Sequence, residues 1–209
     1  TPEQVDKAID ECIALKTMTV CVRGCDIDRA LKKCAGTETK VSCVLDFPYG
    51  YSGAAAKRAI ARDYAARGVY EIDMVMNYGA ARGGDWATVE TEIRGVVEEA
   101  HAKNVGVKVI FETSQLDAEQ IRRATEVSIA AGADFVKTST GFNGAGATEE
   151  AVRIMLDTAA GRAKVKPSGG IRDFAAAKKY VEMGAARLGV GYSSCGVICS
   201  GEGASTENY

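Results

Sequence analysis

The 209-residue sequence contains a single histidine, His101, and this scarcity excludes several kinds of active site. A Ser-His-Asp triad needs its own histidine, and a multi-histidine metal site needs several. His101 lies in the charged segment Val-Glu-Glu-Ala-His-Ala-Lys-Asn, which favours an exposed position near the end of a helix. Acid–base chemistry in this chain must therefore fall to lysine, aspartate, glutamate or tyrosine side chains.

The sequence also lacks long apolar runs and blocks of like charge. No stretch approaches the roughly 18 apolar residues that a membrane-spanning helix needs, and no secretory signal is recognisable. The net charge of -2 does not indicate the basic face that nucleic-acid binding favours. The chain opens on Thr1 rather than Met, which is compatible with a missing upstream piece. We expect a cytoplasmic protein with no membrane and no nucleic-acid partner.

The cysteines form neither a disulfide framework nor a zinc site. Their number is odd, their spacing is irregular, and no Cys-x-x-Cys pair accompanies a histidine. We interpret them as reduced thiols of a cytoplasmic protein, mostly small core residues, and we expect Cys21 to be a buried core thiol. The seven positions are 12, 21, 25, 34, 43, 195 and 199.

Short apolar strands alternate with helical stretches along the chain. Thr1, Pro2 and Gln4 predict the start of the first helix through a capping box with proline at its first position. The strands are continuous Val/Ile/Phe-rich runs, typical of a parallel sheet covered on both faces. Seven strands are predicted, at residues 18–22, 40–47, 70–77, 107–113, 135–138, 164–166 and 187–190.

This alternation predicts a (β/α)8 TIM barrel in a single domain spanning residues 1–209. Only seven strands are visible, so the first β-strand of the barrel is expected to be absent from this chain. A doubly wound open sheet is the alternative. That fold would normally show a Gly-x-Gly-x-x-Gly turn after its first strand, and the sequence contains none there.

Two lysines stand at the ends of neighbouring predicted strands. Lys137 ends the run Asp-Phe-Val-Lys, and Lys166 precedes Pro-Ser-Gly-Gly. In a (β/α)8 barrel the active site lies at the carboxyl ends of the strands, so the two ammonium groups are expected to converge. Each would lower the proton affinity of the other, and a neutral lysine can attack a carbonyl. A structural salt bridge for either lysine remains the alternative.

Acidic side chains interrupt the same set of strands. Asp73 lies inside an apolar strand, where a carboxylate is costly unless it is paired or functional. It could stabilise one ammonium and relay a proton through water, or form a plain buried ion pair. Glu71 and Asn77 flank it with less certain roles, and a structural role is favoured for Glu112 at the end of the next strand.

Two loops have the composition of an anion site. Pro-Ser-Gly169-Gly170 follows Lys166 directly, and Gly-Val-Gly-Tyr-Ser193-Ser194 follows the last predicted strand. Glycines let backbone amides approach a phosphate, and serine hydroxyls add donors. Phosphate sites formed by the loops after the seventh and eighth strands recur in this architecture.

Together these segments resemble those of the 2-deoxyribose-5-phosphate aldolases, class I aldolases of the (β/α)8 barrel fold. The matching motifs are Glu71-Ile-Asp-Met-Val, Lys108-Val-Ile-Phe-Glu-Thr, Asp134-Phe-Val-Lys-Thr-Ser-Thr-Gly-Phe142 and Lys166-Pro-Ser-Gly-Gly-Ile-Arg172. The similarity runs over nearly the whole chain.

The resemblance implies reversible cleavage of 2-deoxy-D-ribose 5-phosphate to acetaldehyde and D-glyceraldehyde 3-phosphate. It implies that Lys137 forms the Schiff base, that Lys166 lowers the pKa of Lys137, and that Asp73 relays protons. No cofactor or metal is implied. The partners would be a sugar phosphate and aldehydes, and a homo-oligomer is left open.

By the same resemblance, Gly169, Gly170, Ser193 and Ser194 contact the substrate phosphate. The sequence departs from the family pattern in two places. Family members usually begin with an Asp-x-Thr strand, and this chain starts after it. The last loop, Gly-Val-Gly-Tyr-Ser-Ser, is longer than the expected Gly-x-Ser-Ser.

Two other functions remain open from the sequence. One is an isomerase or synthase barrel that binds a sugar phosphate without a covalent intermediate, which would need a carboxylate base and only one lysine. The other is a catalytically silent barrel that binds a phosphorylated ligand or a partner chain.

Overall fold

The computed structural model describes residues 1–201, in which parallel strands alternate with helices. The strands are β1 (Thr19–Val22), β2 (Lys40–Leu45), β3 (Glu71–Val75), β4 (Gly106–Ile110), β5 (Phe135–Lys137) and β6 (Lys164–Lys166). The helices are α1 (Pro2–Ala14), α2 (Ile27–Cys34), α3 (Ala54–Ala66), α4 (Tyr78–Arg82), α5 (Trp86–His101), α6 (Ala118–Ala130), α7 (Glu149–Ala159), α8 (Phe174–Glu182) and α9 (Tyr192–Ser200).

Helix starts follow the local sequence signals. Thr1 caps α1 in a capping box with Gln4, as predicted, and Asp117 and Gln120 form the same device at α6. Thr148 and Asp173 cap α7 and α8 through side-chain oxygens that accept a backbone N–H in the first turn. Each cap satisfies donors that a helix leaves unpaired at its amino end.

The sheet is wholly parallel, with strand order β1-β2-β3-β4-β5-β6. Each strand pairs with the next along the chain, so each βαβ unit adds one strand to the same edge. The architecture is that of the α/β TIM barrel predicted from the sequence. Among residues 1–201, β1 pairs only with β2, so the described sheet remains open beside β1.

The prediction of a seventh strand at residues 187–190 is wrong. The segment makes a single isolated parallel bridge, between Gly189 and Ser168. A Cβ atom added to Gly189 would lie 2.3 Å from the Ser168 hydroxyl oxygen, so only glycine fits this approach. The apolar run Leu-Gly-Val-Gly is therefore extended backbone that touches the end of β6 without forming a ladder.

The apolar core lies on both faces of the strands. On β3, Ile72 and Met74 are fully buried on one face of the sheet, and Val75 is fully buried on the other. This two-sided burial explains the continuous apolar runs in the sequence. Two charged residues, Asp73 and Lys108, are also fully buried in these strands, each between apolar neighbours.

Candidate active site

Asp73 is the centre of a buried cluster formed by four consecutive strands. Its carboxylate oxygen Oδ2 accepts hydrogen bonds from Lys137 Nζ and from Lys166 Nζ, both at 2.9 Å. The other oxygen, Oδ1, accepts from Lys108 Nζ at 2.9 Å. Asp73 and Lys108 are fully buried, whereas Lys137 and Lys166 keep 6% and 4% of their surface exposed. The two predicted lysines thus share one carboxylate oxygen, and a third lysine binds the other.

Strand register explains how the cluster forms. Asp73 of β3 is paired with Lys108 of β4, and Lys137 of β5 is paired with Lys166 of β6. Lys137 also pairs with Ile110, two residues beyond Lys108 on β4, so both lysines project from the same face. A slip of one residue would turn a whole strand's side chains to the opposite face, so the parallel register is essential to the cluster.

The charges of the cluster act most strongly on Asp73. Burial by itself raises the pKa of the Asp73 carboxyl, but the positive charges of Lys137, Lys166 and Lys108 outweigh burial and hold this pKa well below its usual range. Asp73 is therefore a carboxylate at neutral pH. It accepts hydrogen bonds on both of its oxygens, which fixes its orientation.

Glu71 and Lys108 extend the cluster toward the amino end of the strands. Lys108 donates to Glu71 Oε2 as well as to Asp73, and Arg187 Nη1 approaches the same Glu71 oxygen at 3.2 Å. Sequence reasoning assigned Glu71 only a weak role and missed Lys108. A signal was present, because Lys108 interrupts an apolar strand in the same way as Asp73 does.

The loop that follows Lys137 is held by Glu112. The Glu112 carboxylate accepts from the Thr140 hydroxyl, from Thr140 N at 3.2 Å and from Asn143 Nδ2 at 3.3 Å. Glu112 is buried and has a left-handed φ of 56°. Asn143 Nδ2 also donates to the Pro48 carbonyl at 3.0 Å, which connects this loop to the loop after β2. The structural role favoured for Glu112 agrees with these contacts.

The phosphate loop predicted after Lys166 packs against the glycine-rich loop that follows Lys137, residues 141–148. Gly169 and Gly170 have φ angles of 82° and 74°, which favour glycine. The Gly169 carbonyl accepts from Ala147 N at 3.0 Å, and a Cβ atom on Gly146 would lie 2.1 Å from that carbonyl oxygen. Backbone therefore meets backbone here, leaving no room for side chains between the two loops.

Ser193 and Ser194 lie in the first turn of α9, directly after the Gly189 bridge to Ser168. The Ser194 side chain is buried, and Ser193 is half-buried. A Cβ atom on Gly189 would lie 3.3 Å from Lys166 Cε, so this segment packs against the side chain of Lys166. The two predicted phosphate segments thus meet beside Lys166.

Comparison with known proteins identifies the family of this chain. Residues 3–200 match the model of the DeoC/LacD family of aldolases. Deoxyribose-phosphate aldolase 1 of Staphylococcus aureus (strain Mu50 / ATCC 700699) is 44% identical over 189 residues, which cover 90% of this chain and 85% of that protein. The chain belongs to the DeoC/LacD family of aldolases.

Solved structures of related proteins have the same fold. A crystal structure from Coccidioides immitis, provisionally identified as a deoxyribose-phosphate aldolase, is 40% identical with a TM-score of 0.90 and covers 96% of this chain and 79% of its own. The tetrameric deoxyribose phosphate aldolase of Aeropyrum pernix is 27% identical with a TM-score of 0.87, covering 96% and 83% respectively.

A second buried lysine cluster in this aldolase chain was not predicted. Lys57 of α3 is fully buried and donates to Glu92 Oε2 at 2.6 Å and to the Gly50 carbonyl at 2.9 Å. Asp46 Oδ2 lies 3.4 Å from Lys57 Nζ. Lys57 therefore anchors the loop between β2 and α3. Its sequence context, a helix rich in alanine and arginine, gave no sign of burial.

The other predicted residues have structural positions. Asn77 caps α4, with its Oδ1 accepting from Ala80 N at 2.9 Å. His101 ends α5 as predicted, with Nε2 2.8 Å from Asp134 Oδ2, and is exposed. Within residues 1–201, no group of three or more His, Cys, Asp and Glu side chains is arranged to hold a metal ion. No helix in that range is both long enough and apolar enough to cross a membrane.

The cysteines correct one prediction of the sequence. All seven are free thiols, but only Cys12, Cys34 and Cys43 are buried. Cys21 is exposed, because it projects from β1 on the face opposite to the buried Val20 and Val22. Its strand has no neighbour on one side among the described residues, so the expected burial of Cys21 is wrong.

A cleft of about 260 Å³ lies between α6 and α7, away from the lysines. Asp117, Ile121, Gly146 and Ile154 are among its lining residues. It adjoins the glycine-rich loop but contains no member of the Asp73 cluster. The convergent charges of that cluster, and not the size of this cleft, identify the candidate active site.

Proposed function

We propose that this chain is a class I aldolase that cleaves 2-deoxy-D-ribose 5-phosphate reversibly to acetaldehyde and D-glyceraldehyde 3-phosphate. Membership of the aldolase family and the names of its relatives support this substrate. The observation that carries the proposal is the pairing of Lys137 and Lys166 on one buried Asp73 oxygen. A non-covalent isomerase would have no use for the second lysine.

The position of Lys137 favours it as the nucleophile. Lys108, Lys137, Lys166 and Arg187 bring four positive charges to two carboxylates, those of Asp73 and Glu71. Among the three lysines, Lys137 keeps the largest exposed fraction, so it is the most accessible to a substrate. In the proposed mechanism Lys137 is the nucleophile, and Lys166 and Lys108 are the other two partners of Asp73.

The covalent steps use the amine of Lys137 and a proton relay. The amine adds to the substrate aldehyde to give a carbinolamine, and loss of water gives an iminium ion. The iminium accepts the electron pair of the breaking carbon–carbon bond, so an enamine forms as glyceraldehyde phosphate leaves. Protonation of the enamine and hydrolysis then release acetaldehyde and restore the amine.

Asp73 and Lys166 are proposed to move the protons of these steps. Asp73 is ionised and already accepts hydrogen bonds from both lysines, and Lys166 is a donor at the same oxygen. A water molecule between Lys166 and the bound substrate would complete the relay. General acid–base catalysis of this kind contributes typically about 100-fold to 10,000-fold in rate.

The substrate phosphate is proposed to bind at Gly169, Gly170, Ser193 and Ser194. The bridge between Ser168, which precedes the left-handed glycine turn, and Gly189, which precedes α9, brings the two segments together beside Lys166 and supports this proposal. Backbone amides at a glycine turn and at a helix amino end attract an anion. This site would hold the phosphate at one side of the Asp73 cluster.

The decisive experiment is borohydride trapping with 2-deoxyribose 5-phosphate, followed by peptide mass mapping. We expect a reduced adduct on Lys137 in the unchanged protein and no adduct in Lys137→Met. Lys164→Met is the matched control, because Lys164 is an exposed lysine on the neighbouring strand β6 and should leave the adduct unchanged. A folded protein that turns over substrate without an adduct on Lys137 would overturn the Schiff-base mechanism.

We also propose a single aldolase unit that works in the cytoplasm as a homo-oligomer. The tetrameric relative from Aeropyrum pernix supports assembly, and seven free thiols support a reducing compartment. Size-exclusion chromatography with light scattering tests the proposed assembly. A mass equal to that of the monomer over the working concentration range would contradict it.

A further inference from the structure

Lys108 holds the carboxylate oxygen of Asp73 that the two proposed catalytic lysines do not contact. Its Nζ lies 2.9 Å from Asp73 Oδ1, whereas Lys137 and Lys166 both donate to Oδ2. Lys108 is fully buried, so a substrate that reaches Lys137 does not touch it. No step of the proposed mechanism uses the Lys108 side chain directly. Lys108 can therefore act on the reaction only through Asp73.

Lys108 is itself fixed by a second carboxylate. Glu71 lies two residues before Asp73 on β3, so both side chains project from the same face of the sheet. Lys108 is paired with Asp73 in the register between β3 and β4, and it donates to Glu71 as well. Arg187 Nη1 donates to the same Glu71 oxygen at 3.2 Å. The position of Lys108 is thus determined by two carboxylates of one strand and does not depend on Asp73 alone.

An aromatic ring on the neighbouring strand also contacts Lys108. Phe135 is paired with Lys108 in the register between β4 and β5, and the centre of its ring lies 5.4 Å from Lys108 Nζ. Arg187 Cζ lies 5.4 Å from the centre of the same ring. An aromatic ring attracts a cation placed over its face, and this ring is only 5% exposed. Phe135 and Glu71 together hold Lys108 against Asp73.

We propose that Lys108 is a positioning residue for the proton relay: by holding Asp73 Oδ1, it keeps Oδ2 directed at Lys137 and Lys166. The terminal torsion of an aspartate side chain is soft, so a carboxylate with a partner on only one oxygen can rotate. Proton transfer requires the donor and the acceptor to stay within hydrogen-bond distance of each other. Removal of Lys108 therefore loosens the proton acceptor and leaves both catalytic lysines in the chain.

This role rests on the proposed aldolase activity, and it affects proton transfer more than it affects the Schiff base. Acetaldehyde alone would form an iminium with the amine of Lys137, with release of one water. Loss of a methyl proton to the relay then gives the enamine. Addition of a deuteron from D2O restores the iminium, and hydrolysis releases labelled acetaldehyde and the free amine. Loss of Lys108 should therefore slow this exchange and leave the equilibrium amount of iminium nearly unchanged.

The experiment measures both quantities in Lys108→Met. Borohydride trapping with acetaldehyde and peptide mass mapping give the amount of adduct on Lys137, and proton NMR in D2O gives the exchange rate of the methyl protons. We expect the amount of adduct to stay within about twofold of the unchanged protein and the exchange to slow at least about 10-fold. Lys164→Met is the matched control, because Lys164 is exposed and lies 5.3 Å from the same Phe135 ring, and it should change neither quantity.

A second variant separates positioning from folding. Lys108→Met/Glu71→Gln removes one positive and one negative charge, so the net charge of the site is kept and no carboxylate is left without Lys108 as its partner except Asp73. We expect it to be folded by circular dichroism and to exchange as slowly as Lys108→Met. Exchange within about twofold of the unchanged protein in either folded variant would overturn the positioning role. So would an equal loss of adduct and exchange, which a merely structural role predicts. Absence of the adduct from the unchanged protein would instead contradict the aldolase proposal itself.

Discussion

Asp73→Asn tests the electrostatic role of the carboxylate that three lysines share. The substitution keeps the size of the side chain and removes its charge, so Lys108, Lys137 and Lys166 lose their common counter-ion. Each contact is 2.9 Å long, and the attraction between unit charges at such a distance is on the order of 5 kcal/mol at an effective dielectric constant near 20. Most of this attraction offsets the cost of removing the charges from water.

The net loss is therefore smaller than the sum of the three attractions. Removing one partner of a buried ion pair typically costs about 3–5 kcal/mol. Lys137 and Lys166 lose their carboxylate partner while Lys108 keeps Glu71, and two such cations place this variant at the upper end of that range. In a protein of this size each kcal/mol lowers the melting temperature by about 2–4 °C. We expect Asp73→Asn to melt at least about 10 °C below the unchanged protein at pH 7.

The loss should depend on pH with a definite sign. The pKa of Asp73 in the folded protein lies well below its usual value, so the contribution of Asp73 to stability is complete above about pH 4 and is lost only as pH falls through the lowered value. The variant has no carboxyl group at this position to titrate. The difference in stability between the two proteins is therefore constant above about pH 4 and narrows as pH falls further.

Denaturant unfolding between about pH 2 and pH 7 measures this difference. We expect the gap in the free energy of unfolding between the two proteins to narrow below about pH 4, because the carboxyl group of Asp73 takes up a proton in the unfolded protein before it does so in the folded one. Asp157→Asn is the matched control, because Asp157 is an exposed residue of α7, and it should change the free energy of unfolding by less than about 0.5 kcal/mol. A loss below about 1 kcal/mol for Asp73→Asn at pH 7, or a gap that is the same at about pH 2 and pH 7, would refute the reasoning.

Three further predictions follow from other contacts. Lys166→Leu should lower kcat by about 100-fold or more, because the proposed proton relay loses its donor at Asp73 Oδ2; an unchanged kcat in steady-state kinetics would remove Lys166 from the mechanism. Lys57→Met should destabilise the protein by about 3 kcal/mol or more, since Glu92 stays buried without its partner, and the double variant Lys57→Met/Glu92→Leu should recover most of that loss in denaturant unfolding. Asn143→Ala should raise KM several-fold with a smaller effect on kcat, because the loop after Lys137 loses two hydrogen bonds; steady-state kinetics with an unchanged KM would contradict this.

The alternation of apolar runs and capped helices was enough to predict the fold, because each strand is buried on both faces and each cap has a short local signal. Lys137 and Lys166 were found since both end a strand, and Asp73 since it interrupts one. Lys108 interrupts β4 as Asp73 interrupts β3, and it was missed because its pairing with Asp73 depends on the register between the two strands, which the sequence does not display.

Other differences have a similar physical origin. Residues 187–190 have the composition of a strand, but the close approach of Gly189 to Ser168 leaves one bridge and no ladder. Lys57 lies on α3, a helix rich in alanine and arginine that shows no local sign of burial. Its burial depends on Asp46 and Glu92, which come from other parts of the chain. Ion pairs between residues far apart in the chain do not change the local hydrophobic periodicity of the sequence.

The strands β5 and β6 contain only three residues each, and Lys137 and Lys166 are their paired last residues. Neither strand can hold its lysine in place alone, because so short a segment has few hydrogen bonds before its neighbour docks. Lys137, the proposed nucleophile, therefore acquires its position only when the second half of the sheet has assembled onto β3 and β4. During refolding, recovery of Schiff-base formation would report this late docking, while the helical signal in circular dichroism would return earlier.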